Sequence, residues 1–104
     1  MTPSNLRARL VELGRTADEV AAALEAQGVT GYKRDQYHCP LCHWLEAQGV
    51  SAPAVAPSES GLRWAYGGRF YSMQPADVPE AITTFTRRFD HGHYPALVVT
   101  RGDR

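Results

Sequence analysis

Six consecutive residues, His38-Cys39-Pro40-Leu41-Cys42-His43, carry most of the chemistry that this sequence offers. Two cysteines three positions apart suit thiol exchange, because a Cys-Pro-x-Cys turn at a helix N-terminus exposes the first sulfur to the helix dipole and lowers its pKa. The same spacing makes a zinc half-site, Cys39 and Cys42, for which His91 and His93 are the candidate second half. In an extended segment residues two apart point to the same side, as a tetrahedral shell would need. The run from Cys39 to His43 also satisfies the Cys-x-x-Cys-His pattern of haem attachment, but that chemistry normally follows export and residues 1–13 carry no secretory signal pattern. A fourth reading is structural: Cys39 caps a helix, Pro40 starts it and Cys42 fills space as a small hydrophobe. It needs no unobserved partner and is preferred, so no cofactor is expected, with zinc as the alternative.

The tetrad Cys39-Pro40-Leu41-Cys42 resembles that of glutaredoxins, and the chain length is similar to that of thioredoxins. A fold of that type would place the motif after a buried hydrophobic strand, whereas Lys33-Arg34-Asp35-Gln36-Tyr37 is polar. It would also set a cis-proline opposite the dithiol before a strand, and Val78-Pro79 leads into a helix. The pair is similar, locally, to zinc knuckles as well, which usually put a small residue where His43 stands. Thiol or zinc chemistry at Cys39 and Cys42, assisted by His38, His43, His91 or His93, is therefore one functional alternative.

The main expectation lies elsewhere. Ten aromatic residues among 104 exceed what so small a core readily hides, and tyrosine and tryptophan anchor interfaces. Tyr37, Trp44, Trp64, Tyr66 and Tyr71 are the expected binding surface of a small accessory domain whose partner is a protein, a small peptide or a metabolite. Self-association into a homodimer is part of that expectation. Arg63 and Arg69 are placed to meet a phosphate or carboxylate, although solvated faces account for them too. No Gly-x-Ser-x-Gly or Walker pattern occurs and the carboxylates are scattered singly, so catalysis is not expected. Cofactor-free chemistry on a small peptide or metabolite, with histidines as acid–base groups, is a further alternative.

These residues must be positioned by a small set of elements. Ser4–Leu13 has a helical apolar side ending at Gly14. Thr16 and Glu19 form a capping box for a second helix that ends at Gly28, with Val20, Ala23, Leu24 and Gln27 on its core face. Pro40 starts a third helix that places Leu41, Trp44, Leu45 and Gln48 together and stops at Gly49. Leu24–Val29 and Leu45–Val50 are the same six residues, Leu-Glu-Ala-Gln-Gly-Val, as if one C-cap problem were solved twice. Pro53–Pro57 reads as a short edge strand. Leu62–Tyr66, Gly67-Gly68 and Arg69–Met73 form a hairpin that sets Trp64 opposite Tyr71 and Leu62 opposite Met73, leaving Arg63, Ala65, Phe70 and Ser72 on the other face. Asp77 caps a final helix striped by Val78, Ala81, Ile82, Phe85 and Phe89, and Ala96–Val99 is a last strand.

The expected class is α+β: about four helices on a small, mainly antiparallel sheet, one domain over residues 1–100 with a frayed tail at 101–104. Eleven basic and eleven acidic residues give no net charge, which removes the electrostatic case for nucleic acid or a membrane as partner. The expected location is the cytoplasm, where the thiols are reduced and the Arg101-Gly102-Asp103 triplet has no receptor to meet. Gly28-Val29-Thr30-Gly31, Cys39-Pro40-Leu41, Trp44-Leu45, Phe85, Phe89-Asp90, Gly92 and Tyr94-Pro95-Ala96-Leu97 together resemble small orphan proteins of high-GC Gram-positive bacteria, over residues 20–98. That resemblance implies no activity. In that group the position of Cys42 is often alanine, which would remove both the dithiol and the zinc half-site.

Overall fold

A computed structural model describes residues 2–99, and its sheet is organised by the two-glycine turn. Gly67 and Gly68 have φ of 58° and 79°, the left-handed values that match a hairpin turn to the twist of its strands. Strand β2 (Gly61–Tyr66) therefore pairs antiparallel with β3 (Arg69–Met73), with Trp64 opposite Tyr71 and Leu62 opposite Met73 as the alternation predicts. Strand β1 (Ser51–Ala56) lies on the other side of β2, giving the order β1-β2-β3. It is an edge strand with Pro53 inside it, and a register shift between Ser51 and Ala54 leaves Ala52 at φ 49°. The Val55 N–H donates to the Gln36 carbonyl at 2.7 Å, so the segment before the dithiol runs along this edge.

Four helices share one core with the sheet: α1 (Pro3–Leu13), which packs on β3, α2 (Ala17–Ala26), α3 (Pro40–Ala47), which packs on β1, and α4 (Glu80–Asp90), which packs on α2. The Thr16 hydroxyl accepts from the Glu19 N–H at 3.2 Å, as a capping box requires; the Glu19 carboxylate reaches one residue further back, to the Arg15 N–H at 2.8 Å. The repeated six residues close their helices identically. Val29 donates to the Leu24 carbonyl and Val50 to the Leu45 carbonyl, across Gly28 at φ 71° and Gly49 at φ 93°. Leu6, Leu10, Val20, Leu24, Leu41, Leu45, Ile82, Phe85 and Phe89 meet Val55, Leu62, Trp64 and Met73 in one core cluster. The molecule is thus a two-layer α+β fold. Among the described residues no helix is long and apolar enough to cross a membrane.

Four local expectations are corrected. Gln27 is exposed because α2 ends at Ala26, and the buried stripe is Ala17, Val20, Ala21 and Leu24. Asp77 does not cap α4; it closes the 3-10 turn Pro75–Asp77, and Pro79, which has no side-chain donor or acceptor, occupies the N-cap. Ala96–Val99 is not a strand. Pro95 fixes φ and lacks an N–H, Leu97 donates back to the Tyr94 carbonyl in a second 3-10 turn (Pro95–Leu97), and only a lone parallel bridge from Val98 to Gly31 remains. Cys39 occupies the N-cap of α3 without a side-chain cap bond. Residues 101–104 lie outside the described residues.

Candidate functional site

The dithiol sits where two chain segments touch. A Cβ on Gly31 would lie 2.5 Å from both the Cys39 carbonyl carbon and the Pro40 nitrogen, so only glycine lets this segment cross the start of α3. Pro40 then occupies the first turn, and Cys39 and Cys42, three apart, bring their sulfurs to 3.6 Å. Both are free thiols and both are buried, Cys39 with 4% of its surface exposed. The Cys39 S–H donates to Cys42, and the Cys42 S–H donates to the Gln36 carbonyl at 3.0 Å, with the Pro53 carbonyl at 3.7 Å.

The two thiols are electrostatically unequal. When Cys39 ionises, the Cys42 S–H can turn from the Gln36 carbonyl to donate to its sulfur, and this holds the Cys39 thiol below its ordinary value of 9.0 against the opposing effect of burial; the Leu41 and Cys42 backbone N–H groups at the helix start act in the same sense. The bond to Cys39 pushes Cys42 far above that value, and burial adds to it. Around the pair, His38 Nδ1 lies 3.2 Å from the Asp35 carboxylate, which also accepts from the Tyr37 and His38 N–H groups. His43 Nδ1 is hydrogen-bonded to the Thr30 carbonyl.

The expected second zinc half-site is not assembled. His91 and His93 flank Gly92 at φ 84°, and their N–H groups close the end of α4 on the Arg87 and Arg88 carbonyls, so the extended geometry that would pair them is absent. Among the described residues no three His, Cys, Asp or Glu side chains form a group that could hold a metal ion, so the set Cys39, Cys42, His91 and His93 does not converge.

The expected aromatic surface separates into three places. Trp44 and Trp64 are core residues, Trp64 with 1% of its surface exposed. Tyr66 and Arg69 pair across the strands beside the glycine turn, on the same side as Trp64 and Leu62. Tyr37 and Arg63 line a groove of about 450 Å³ on the sheet face that the helices leave open. Ala54, Arg63 and Ser72 form one cross-strand row of that face and Ala65 with Phe70 the next. Trp64 and Tyr71 also border the groove; their side chains alternate to the core side, so their main chains form its floor.

Phe70, absent from the expected set, is the most conspicuous wall of the groove, with 86% of its surface exposed. Its signal was present in the sequence: the hairpin alternation places this one large apolar side chain among Arg63, Ala65 and Ser72, on the polar face. The lining holds a single cation, Arg63, the Ser72 hydroxyl and no carboxylate. Comparison of the chain with protein-family models, curated proteins and solved structures found no match. The functional reading therefore rests on the residues and their geometry.

Proposed function

We propose that this chain is a small binding domain that uses the open face of its sheet to take a carboxylate-bearing ligand with a flat apolar body, of the size of a metabolite or a short peptide terminus. The observation that supports it is one groove combining exposed Tyr37 and Phe70 walls with the Arg63 guanidinium and no acidic side chain. Its volume of about 450 Å³ is in the range of small-molecule sites. A guanidinium is a planar, permanently charged donor that meets a carboxylate with two parallel hydrogen bonds, and aromatic walls select a flat partner through stacking. The hairpin holds Arg63 and Phe70 in place on paired strands, while Tyr37 stands on the neighbouring Asp35–His38 turn, its N–H bonded to the Asp35 carboxylate.

The test compares N-acetyl-phenylalanine, as its carboxylate, with N-acetyl-phenylalaninamide by titration against the isotopically labelled chain. The expected result is that the carboxylate shifts the amide resonances of Tyr37, Arg63, Phe70 and Ser72 and binds at least tenfold more tightly than the amide. Arg63→Ala should abolish that preference, and Phe70→Ala should weaken both ligands. Equal binding of the two probes, or shifts unaffected by either substitution, overturns the reading.

A further inference from the structure

The buried thiols take no part in that groove, and they form a second, separate arrangement. Their sulfurs are 3.6 Å apart within one helical turn, against a disulfide bond length of about 2.05 Å, so the two atoms that would bond are already neighbours. Cys39 stands at the start of α3, where unpaired backbone N–H groups favour an anion, and Cys42 stands one turn in, against main-chain carbonyls that do not. An inert pair of space-filling cysteines requires neither the short separation nor this difference between the two ends.

We propose that Cys39 and Cys42 are a dithiol–disulfide couple that exchanges with low-molecular-weight disulfides, with Cys39 as the attacking sulfur. The Cys39 thiolate attacks one sulfur of RS–SR; a Cys39–SR bond forms, the RS–SR bond breaks, and the departing thiolate takes a proton from water. Cys42 then releases its proton to water and its sulfur attacks Sγ of Cys39, expelling the second thiolate, which is protonated in turn. Two electrons pass from the protein thiols to the external disulfide, and two RSH leave. With 4% of its surface exposed, Cys39 is within reach of small disulfides and not of a disulfide held in a folded protein. The Asp35–His38 turn, whose Gln36 carbonyl meets the Cys42 sulfur, is held by exposed hydrogen bonds at the Asp35 carboxylate, the kind of segment that opens locally without global unfolding.

The native reduced chain is incubated with glutathione disulfide, quenched in acid and weighed by intact-mass spectrometry. The expected result is loss of two hydrogens, reversed by a dithiol reductant, with the new bond mapped to Cys39–Cys42. The variant Cys42→Ser should trap one glutathione on Cys39, and Cys39→Ser should acquire it on Cys42 at least tenfold more slowly. Native protein that stays reduced while the denatured chain oxidises overturns the proposal, as does a mixed disulfide that accumulates on the wild-type chain without closing. Equal rates in the two variants overturn the assignment of Cys39. If either variant does not fold, the wild-type mass change decides the couple, and peptide mapping of its early mixed disulfide decides which sulfur attacks.

Discussion

Trp64 and Tyr71 stack across the hairpin with ring centroids 5.9 Å apart and planes 18° from parallel, and Trp64 lies beneath the groove floor that the same two residues build with their main chains. The pair therefore joins the core to the candidate site. Trp64→Ala is expected to lose about 3–5 kcal/mol of stability, the range for removing a buried large aromatic. Tyr71→Ala, at a half-buried position, should lose about 1 kcal/mol beyond its own area burial. Urea unfolding followed by far-UV circular dichroism measures both; similar losses for the two would contradict this division.

Two glycines with nearly the same φ should respond very differently to alanine. At Gly61, φ 76°, a Cβ would sit 1.9 Å from the Met73 carbonyl oxygen, a backbone atom of the paired strand. At Gly28, φ 71°, nothing lies within 4 Å. Gly28→Ala thus carries only left-handed strain, about 1–2 kcal/mol, whereas Gly61→Ala must also part β2 from β3 and should exceed ~4 kcal/mol. Thermal melts of the two variants provide the comparison.

Gly31 controls the dithiol. Alanine there would press on the Cys39–Pro40 peptide bond and on the His38 carbonyl, all within 2.7 Å of the new Cβ. The start of α3 must shift, exposing Cys39. Alkylation by iodoacetamide at neutral pH should accelerate at least tenfold in Gly31→Ala, and an unchanged rate would show that this crossing does not shield the sulfur.

Stability should rise and then fall with alkaline pH. Because the folded Cys39 thiol titrates below 9.0, the folded chain releases a proton that the unfolded chain still holds; this gain is complete above 9.0 and is lost as pH falls through the folded value. Cys42 acts oppositely. Above 9.0 its unfolded thiol ionises while the folded one stays protonated, so stability declines as pH rises. Tyr94, raised above 10.0 by burial and donating to Asp18 at 2.9 Å, adds to the decline beyond that point. Calorimetry from pH 7 to 11 should place the highest Tm near pH 9, and a Tm still climbing past 10 would refute the scheme.

The hairpin was legible because its signal is local: period-two alternation on both sides of Gly67-Gly68 fixes register and faces without reference to the rest of the chain. The stripe of α4 and the repeated helix endings were legible for the same reason, and Gly92 adds a third closure of that type through the His93 N–H on Arg88. The last strand was not. Leu97-Val98-Val99 has strand composition, but a strand needs a partner, and Gly31 offers only one bridge before the chain turns to Cys39. The site was half legible. Residue type alone points to Arg63 and Tyr37, whereas Phe70 emerges only from the face that strand alternation gives it; Trp64 and Trp44, which residue type would also place at an interface, belong to the core.

The irregular border of β1 has a consequence for how the sheet can grow. Pro53 has no N–H, and the Val55 N–H two residues on is already taken by the Gln36 carbonyl, so over this stretch the outward rim presents no free donor to a fourth strand. The Pro53 carbonyl beside it faces the Cys42 sulfur. Recruitment of a foreign strand, whether from a peptide or from another copy during misfolding, is barred on that flank. Among the described residues, the five of β3 form the opposite margin, the one along which this sheet could be extended.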